Sequence, residues 1–187
     1  GLQGNWIYKT TDAGSSWFSI PGINTVMSIY FLDNENGYVG CNSNNIGKTT
    51  DGGTNWTWSY SNVFPVVSMY FLNVNTGFAV GSPGNFIMKT LNGGASWDYI
   101  NTNINDWQNQ ISFASNTIGY SVGGAGLLKT TDAGYSWAHE INNKVLYAVD
   151  APNVNKELIC GFKGVLYKFD KNDSTSSTCD ETMKMLP

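Results

Sequence analysis

KTTDAGSSW at 9–17, KTTDGGTNW at 48–56, KTLNGGASW at 89–97 and KTTDAGYSW at 129–137 are one nine-residue phrase written four times. Its tryptophans, Trp17, Trp56, Trp97 and Trp137, fall 39, 41 and 40 residues apart. A fixed period near 40 marks one supersecondary unit, too small to bury its own apolar face and stacked on its neighbours.

Outward from the phrase, each period holds the same four short runs. In the second these are VMSIYFLD (26–33), YVGCN (38–42), IGKTTD (46–51) and WTWSY (56–60). They are rich in Val, Ile, Tyr, Phe, Trp and Thr, and they are punctuated by Asn-Gly and Asp-Gly clusters, which supply the positive φ of tight hairpins. Four antiparallel strands per 40 residues make one propeller blade. The expected fold is therefore all-β, a β-propeller of four-stranded antiparallel blades, with four to five blades in this chain. The ends are partial: residues 6–20 carry the last two strands of a blade, and 145–170 carry the first three, where the phrase has decayed to KFDK. Residues 1–170 read as the propeller and 171–187 as a polar tail or linker. An open stack leaves sheet faces uncovered. The ring is expected to close on itself, with further blades, or by self-association.

The chain has 187 residues and a net charge of −4, with 13% charged and 14% aromatic residues. All ten basic residues are Lys, and there is no Arg. Without clustered cations to neutralise phosphates, nucleic acid is excluded as a partner. No apolar run reaches 18 residues, so no transmembrane segment is expected. Residue 1 is Gly, which suggests a removed signal peptide or a piece of a longer chain. Cys41, Cys160 and Cys179 form neither a disulfide framework nor a CxxC pair. Cys41 and Cys160 fall at similar places in their repeats and read as small buried residues. A lone His139 and a DNENG turn (33–37) without the downstream Glu offer no metal site, and no cofactor is expected.

The pattern T-x-D-x-G-x-x-W resembles the Asp-box, or BNR, repeat found in sialidases, xyloglucan-degrading glycosidases, Vps10 and sortilin receptors and photosystem II assembly factors. The longer form, Gly-Tyr-x-x-Gly followed by Ile-x-Lys-Thr-Thr-Asp-Gly-Gly-x-x-Trp, is most similar to the assembly-factor and xyloglucanase branches. The resemblance spans residues 5–170. It implies a propeller, but one blade type serves enzymes, receptors and scaffolds alike. It also implies that Asp12, Asp51, Asn92 and Asp132 are structural. Their side-chain oxygens would accept backbone N–H bonds in Asx-turns, the following Gly pairs would supply positive φ, and Trp17, Trp56, Trp97 and Trp137 would pack into the blades. Relatives carry these turns at the periphery, away from the ligand face.

The ligand-side loops implied by the resemblance are 18–25, 58–66, 98–109 and 138–144, with 41–45, 82–85, 123–126 and 161–164. The longest contains Trp107 flanked by Asp106, Gln108 and Asn109, with Tyr99 at its start; the preceding one holds Trp58, Tyr60 and Phe64. Aromatic faces beside amides and a carboxylate suit a sugar ring or a protein segment. Glycosidase chemistry needs two carboxylates across a cleft, and only Asp98, Asp106 and Glu140 fall on that side outside the boxes. The absence of Arg argues against sialidase activity, because that family grips its substrate carboxylate with Arg residues, which Lys does not replace without loss. The expected function is a secreted or cell-surface, non-catalytic module that binds a glycan or a protein, or a structural repeat of a larger surface protein. The alternatives are a fragment of a xyloglucanase-like glycoside hydrolase and an assembly factor for a membrane complex.

Overall fold

The computed structural model describes residues 6–21, 25–61, 65–82 and 84–170. Phe64, Cys179 and the whole tail from 171, with Asp173, Asp180 and Glu181, lie outside the described residues. The strands form five antiparallel sheets in chain order. A two-stranded sheet pairs β1 (Trp6–Lys9) with β2 (Phe18–Pro21). Three four-stranded blades follow: β3 (Val26–Phe31), β4 (Gly37–Cys41), β5 (Asn45–Thr49) and β6 (Thr57–Tyr60); β7 (Val66–Phe71), β8 (Gly77–Gly81), β9 (Phe86–Thr90) and β10 (Asp98–Asn101); and β11 (Gln108–Phe113), β12 (Gly119–Gly123), β13 (Gly126–Thr130) and β14 (Ala138–Asn142). A three-stranded sheet of β15 (Leu146–Asn153), β16 (Lys156–Gly161) and β17 (Leu166–Asp170) ends the series. The first strand of each blade lies innermost: β3 packs on β7, β7 on β11 and β11 on β15.

Between successive blades lies an apolar layer with the same parts each time. Phe71 stacks on Tyr38 of the preceding blade at 3.8 Å between ring centres and meets Trp97 edge-on at 6.1 Å. Phe113 repeats this on Phe78 at 4.4 Å, with Trp137 edge-on at 6.0 Å. Offset and edge contacts of this kind add about 0.5–1.5 kcal/mol each beyond area burial. The Phe ring lies flat over a glycine on the neighbouring strand. At Gly77 a Cβ would sit 2.3 Å from the Phe71 ring, which explains the Gly in each Gly-aromatic pair.

Polar stitches join the same faces. The Lys of each of the first three phrases reaches the following blade: Lys9 Nζ donates to the Gly52 carbonyl at 2.6 Å, Lys48 to Gly93 at 2.9 Å and Lys89 to Ala133 at 2.8 Å. The acceptor is always the residue just after the Asp or Asn of the next phrase. On the inner strands Tyr30 and Tyr70 donate to the carbonyls of Phe71 and Phe113 (3.1 and 3.2 Å), and Ser28 donates to Val66 (2.9 Å). At the last junction no phrase follows, and Tyr120 donates to the Glu157 carboxylate instead.

Three sequence expectations change here. Ala13 and Ala133, not glycine, occupy the first positive-φ site in two of the turns, at φ 55° and 58°. Trp97 is 7% exposed but Trp17 is 60% exposed, because among the described residues the β1–β2 sheet has no inner strand to supply the Phe that Trp97 and Trp137 meet. Cys160 pairs with Ala148, the place where Gly40 pairs with Ser28, so it stands one residue out of register with Cys41. It thus takes the place of Gly40, where a Cβ would lie against Val66 of the next blade; among the described residues no further blade covers that face of β16, so Cys160 is exposed while Cys41 is buried.

Candidate functional site

The four phrase turns are built for geometry. In the second, the Asp51 carboxylate accepts the Thr54 and Asn55 amides (3.0 and 2.8 Å) and the Asn55 side chain (2.7 Å). Thr49 donates to Asp51 and accepts the Gly53 amide at 2.8 Å. Asp12 and Asp132 take a Ser hydroxyl at the equivalent place, each at 2.6 Å. These donors hold the carboxylates low. Asp12 sits at about 2 through the Ser16 hydroxyl and amide, and Asp51 at about 2 through the Asn55 amide and side chain. Burial pushes Asp132 up, but the Ser136 hydroxyl and amide outweigh it and bring it to about 2. Asn92 accepts the Ser96 amide at 2.9 Å. A carboxylate saturated with donors is a poor acid or base at neutral pH.

Hydrogen bonds sort the remaining loops onto two edges. The phrase turns bond to the first hairpin of their own blade: Gly52 N to Glu35 O, Gly93 N to Asn75 O and Ala133 N to Thr117 O. On the opposite edge the interblade loops bond to the β4–β5, β8–β9 and β12–β13 turns, through Ser61 N to Asn44 O, Thr102 N to Asn85 O and Asn143 N to Ala125 O. This second edge carries the longest loop, anchored by buried Thr102 and Ile104.

On that loop the sequence-chosen residues divide. Trp107 is 48% exposed. Asp106 is half-buried between the Gly84 and Gly124 turns and caps the Trp107 amide at 2.8 Å. Gln108 is turned inward and buried, accepting the Ser121 hydroxyl at 2.8 Å. Asn109 donates to the Leu146 carbonyl of the next blade at 2.7 Å. Trp58 and Tyr99 occupy like places on the outer strands β6 and β10, opposite Gly47 and Met88. Tyr99 meets Phe86 edge-on, and Tyr60 accepts the Asn44 side chain at 2.8 Å. Exposed aromatic surface therefore remains at Trp107, Trp58, Tyr60 and Tyr99, while Asp106, Gln108 and Asn109 hold blade contacts.

A groove of about 410 Å³ runs along the inner strands β3, β7, β11 and β15. Ser28, Tyr30, Ser68, Tyr70, Gln110 and Asp150 give it its polar lining. Burial first, then Tyr30 and Asp150, push the Tyr70 phenol up, so Tyr70 enters as a neutral group. Asp150 is exposed in this lining and is the carboxylate there among the described residues. Asp98, Asp106 and Glu140 do not line this groove. Asp98 is on outer strand β10, Glu140 is on outer strand β14 with Lys129 3.9 Å away, and Asp106 is lodged in its loop. The groove residues were missed because they sit inside strands; the signal was the even alternation Ser-x-Tyr, Ser-x-Tyr, Gln-x-Ser, Ala-x-Asp at 28–30, 68–70, 110–112 and 148–150. Among the described residues no group of three His, Cys, Asp or Glu could hold a metal, and no helix is long and apolar enough to cross a membrane.

Stacked four-stranded blades around inner strands define an open β-propeller. No protein-family model and no curated protein matches the sequence. Solved structures do match in fold. YCF48 bound to a D1 peptide superposes with a TM-score of 0.68 at 19% identity, covering 90% of this chain and 59% of that one. The GH74 enzyme of Niastella koreensis gives 0.70 at 16% identity, over 88% of this chain and 32% of that one. The computationally designed Ika4 protein gives 0.65 at 12% identity, over 79% and 91%. The chain thus spans less than two thirds of YCF48 and about a third of the GH74 enzyme, and identities this low speak for the fold alone.

Proposed function

We propose that this chain is a non-catalytic propeller module that binds an extended protein segment, with a glycan as the second ligand class, in a secreted or cell-surface setting. The observation that carries the reading is the inner-strand groove. Its exposed Asp150 carboxylate, with the hydrogen-bonding capacity that its hydroxyl, phenol and amide groups keep beyond their bonds between blades, suits a peptide or a sugar, while hydrolysis of a glycoside needs a second carboxylate about 5–9.5 Å from the first. The exposed Trp107 lies on the loop leading into β11, one of the groove strands, and offers a flat apolar anchor. YCF48, one of the fold neighbours, was solved with a peptide bound, which supports a protein ligand. The low charge and absence of Arg support an extracellular setting over a basic docking patch.

The test is to probe peptide and oligosaccharide arrays with the wild-type chain, Trp107→Ala and Asp150→Asn. Ligands lost by either variant at unchanged melting temperature support the reading. Release of sugar from xyloglucan oligosaccharides, abolished by Asp150→Asn, overturns it in favour of a hydrolase fragment. Equal binding by all three proteins removes the groove and the loop from consideration.

A further inference from the structure

The blade-to-blade layer is made completely at two junctions and half made at a third place. Phe31 is the equivalent of Phe71 and Phe113, but among the described side chains no ring stacks on it, and it is 40% exposed. It opens into a cleft of about 350 Å³ between the β1–β2 sheet and the β3–β6 blade, lined also by Ile7, Trp17, Ile20, Ile29 and Trp56. In every other sheet the strand carrying the Lys of the phrase, or its equivalent, has a neighbour on the inner side: β4, β8, β12 or β16. On β1 that edge carries no strand among the described residues. The cleft is therefore the place of a first and a second strand.

The last sheet offers those two strands. Leu158 on β16 pairs with Asp150 as Tyr38 pairs with Tyr30, so it stands where the stacking aromatic stands in the other blades, and it is 46% exposed. β17 then repeats β1. Lys168 pairs with Leu158 as Lys48 pairs with Tyr38, which aligns Leu166, Tyr167 and Lys168 with Ile7, Tyr8 and Lys9. The third strand of one blade position is thus present twice in the chain, once with a fourth strand beside it (β2) and once with a first and second (β15 and β16).

We propose that the cleft receives β15–β16 of a second copy of this chain, with β1 taking the place of β17 as third strand and β2 completing the blade. The exchange trades like for like along the third strand and adds an outer strand. It also seats Leu158 on Phe31, continuing the interface that Tyr38–Phe71 and Phe78–Phe113 already form. A second copy fits better than the same chain. The arc is open, and Lys48–Gly93, Lys89–Ala133, Tyr30–Phe71 and Tyr70–Phe113 hold successive blades in that open arrangement.

Light scattering on the 20.4 kDa chain over a dilution series tests this. The wild type is expected at twice the chain mass or a higher multiple. Phe31→Asp and Leu158→Asp, both at exposed sites, are each expected to be monomeric with unchanged circular dichroism. An equal mixture is expected to recover the two-chain mass, because each variant keeps the half that the other has lost. Hydrogen exchange gives an independent reading if a variant folds poorly: association of the wild type protects β1 amides and exposes those of β17. A wild type that stays monomeric at all concentrations overturns the proposal. If both substitutions also lower its melting temperature, the cleft is closed by the chain's own β15–β16. A multimer that persists in both variants overturns it equally.

Discussion

Lys89→Met and Lys129→Met alter the same letter of the same phrase, yet they should differ several-fold in cost. Lys89 is 3% exposed; its ammonium donates to the Ala133 carbonyl at 2.8 Å and lies 3.1 Å from the centre of the Tyr135 ring. Methionine keeps the stem's packing but removes the charge and leaves that carbonyl without this donor. A hydrogen bond to a charged group is worth about 1.5–3 kcal/mol and a cation over a ring about 0.5–1 kcal/mol. Burial, which pulls the Lys89 pKa down, takes back part of this. The net expectation is a loss of about 2–3 kcal/mol, or roughly 4–12 °C in melting temperature for a chain of this size. Lys129 has no following phrase to reach. Its nearest carboxylate, Glu140, is 3.9 Å away and both are partly exposed, so its loss should cost no more than about 1 kcal/mol. Urea denaturation followed by tryptophan fluorescence measures both. Equal costs, or a neutral Lys89→Met, would refute the view that this lysine serves the next blade and not its own.

Ala133→Gly should stabilise the fold by about 0.5–1 kcal/mol in the same assay, since it relieves an L-residue held at φ 58°, where Gly52 and Gly93 stand in sister turns. Asn92→Asp should raise the melting temperature at neutral pH by letting both carboxylate oxygens accept, as at Asp12 and Asp132. Folded-state values near 2 against 3.8 unfolded mean that this gain is present above about pH 4 and is lost as pH falls towards 2, so a melting series across that range checks it. Glu157→Gln should act in the opposite sense. Burial pushes Glu157 above 4.5, so the wild type loses stability as pH rises beyond that value, while Gln still accepts from Tyr120. The variant should melt higher than wild type at pH 7, with the gap closing as the pH is lowered to about 4.5.

The architecture could be read because its determinants recur. Period, turn residues and β-rich runs agree at every blade, and the partial ends at 6–20 and 145–170 emerge as β1–β2 and β15–β17. What could not be read was direction within a strand. Gln108 looked like a loop amide beside Trp107, yet it opens β11 at the place of Val26, Val66 and Leu146, and the pleat turns it inward. Cys160 takes the place of Gly40, on a face that no further blade covers among the described residues. The lysine of the phrase hid its role because its partner is about 44 residues away, on a blade that no local pattern connects to it.

Repetition also separates structural from functional residues on physical grounds. A side chain that recurs in every blade answers a contact that recurs in every blade: Lys9, Lys48 and Lys89 meet the next turn, and Phe71 and Phe113 meet the preceding ring. A ligand has no such period, so the residues that recognise it should break the pattern. The inner-strand sites 28, 68, 110 and 148, and 30, 70, 112 and 150, do so in the later blades, passing from Ser and Tyr to Gln, Ser, Ala and Asp. Trp107 does so too, standing just before β11 where Thr25, Pro65 and Val145 stand before the other inner strands. Under the proposed reading, recognition would be encoded in these departures from the repeat and not in the conspicuous phrase.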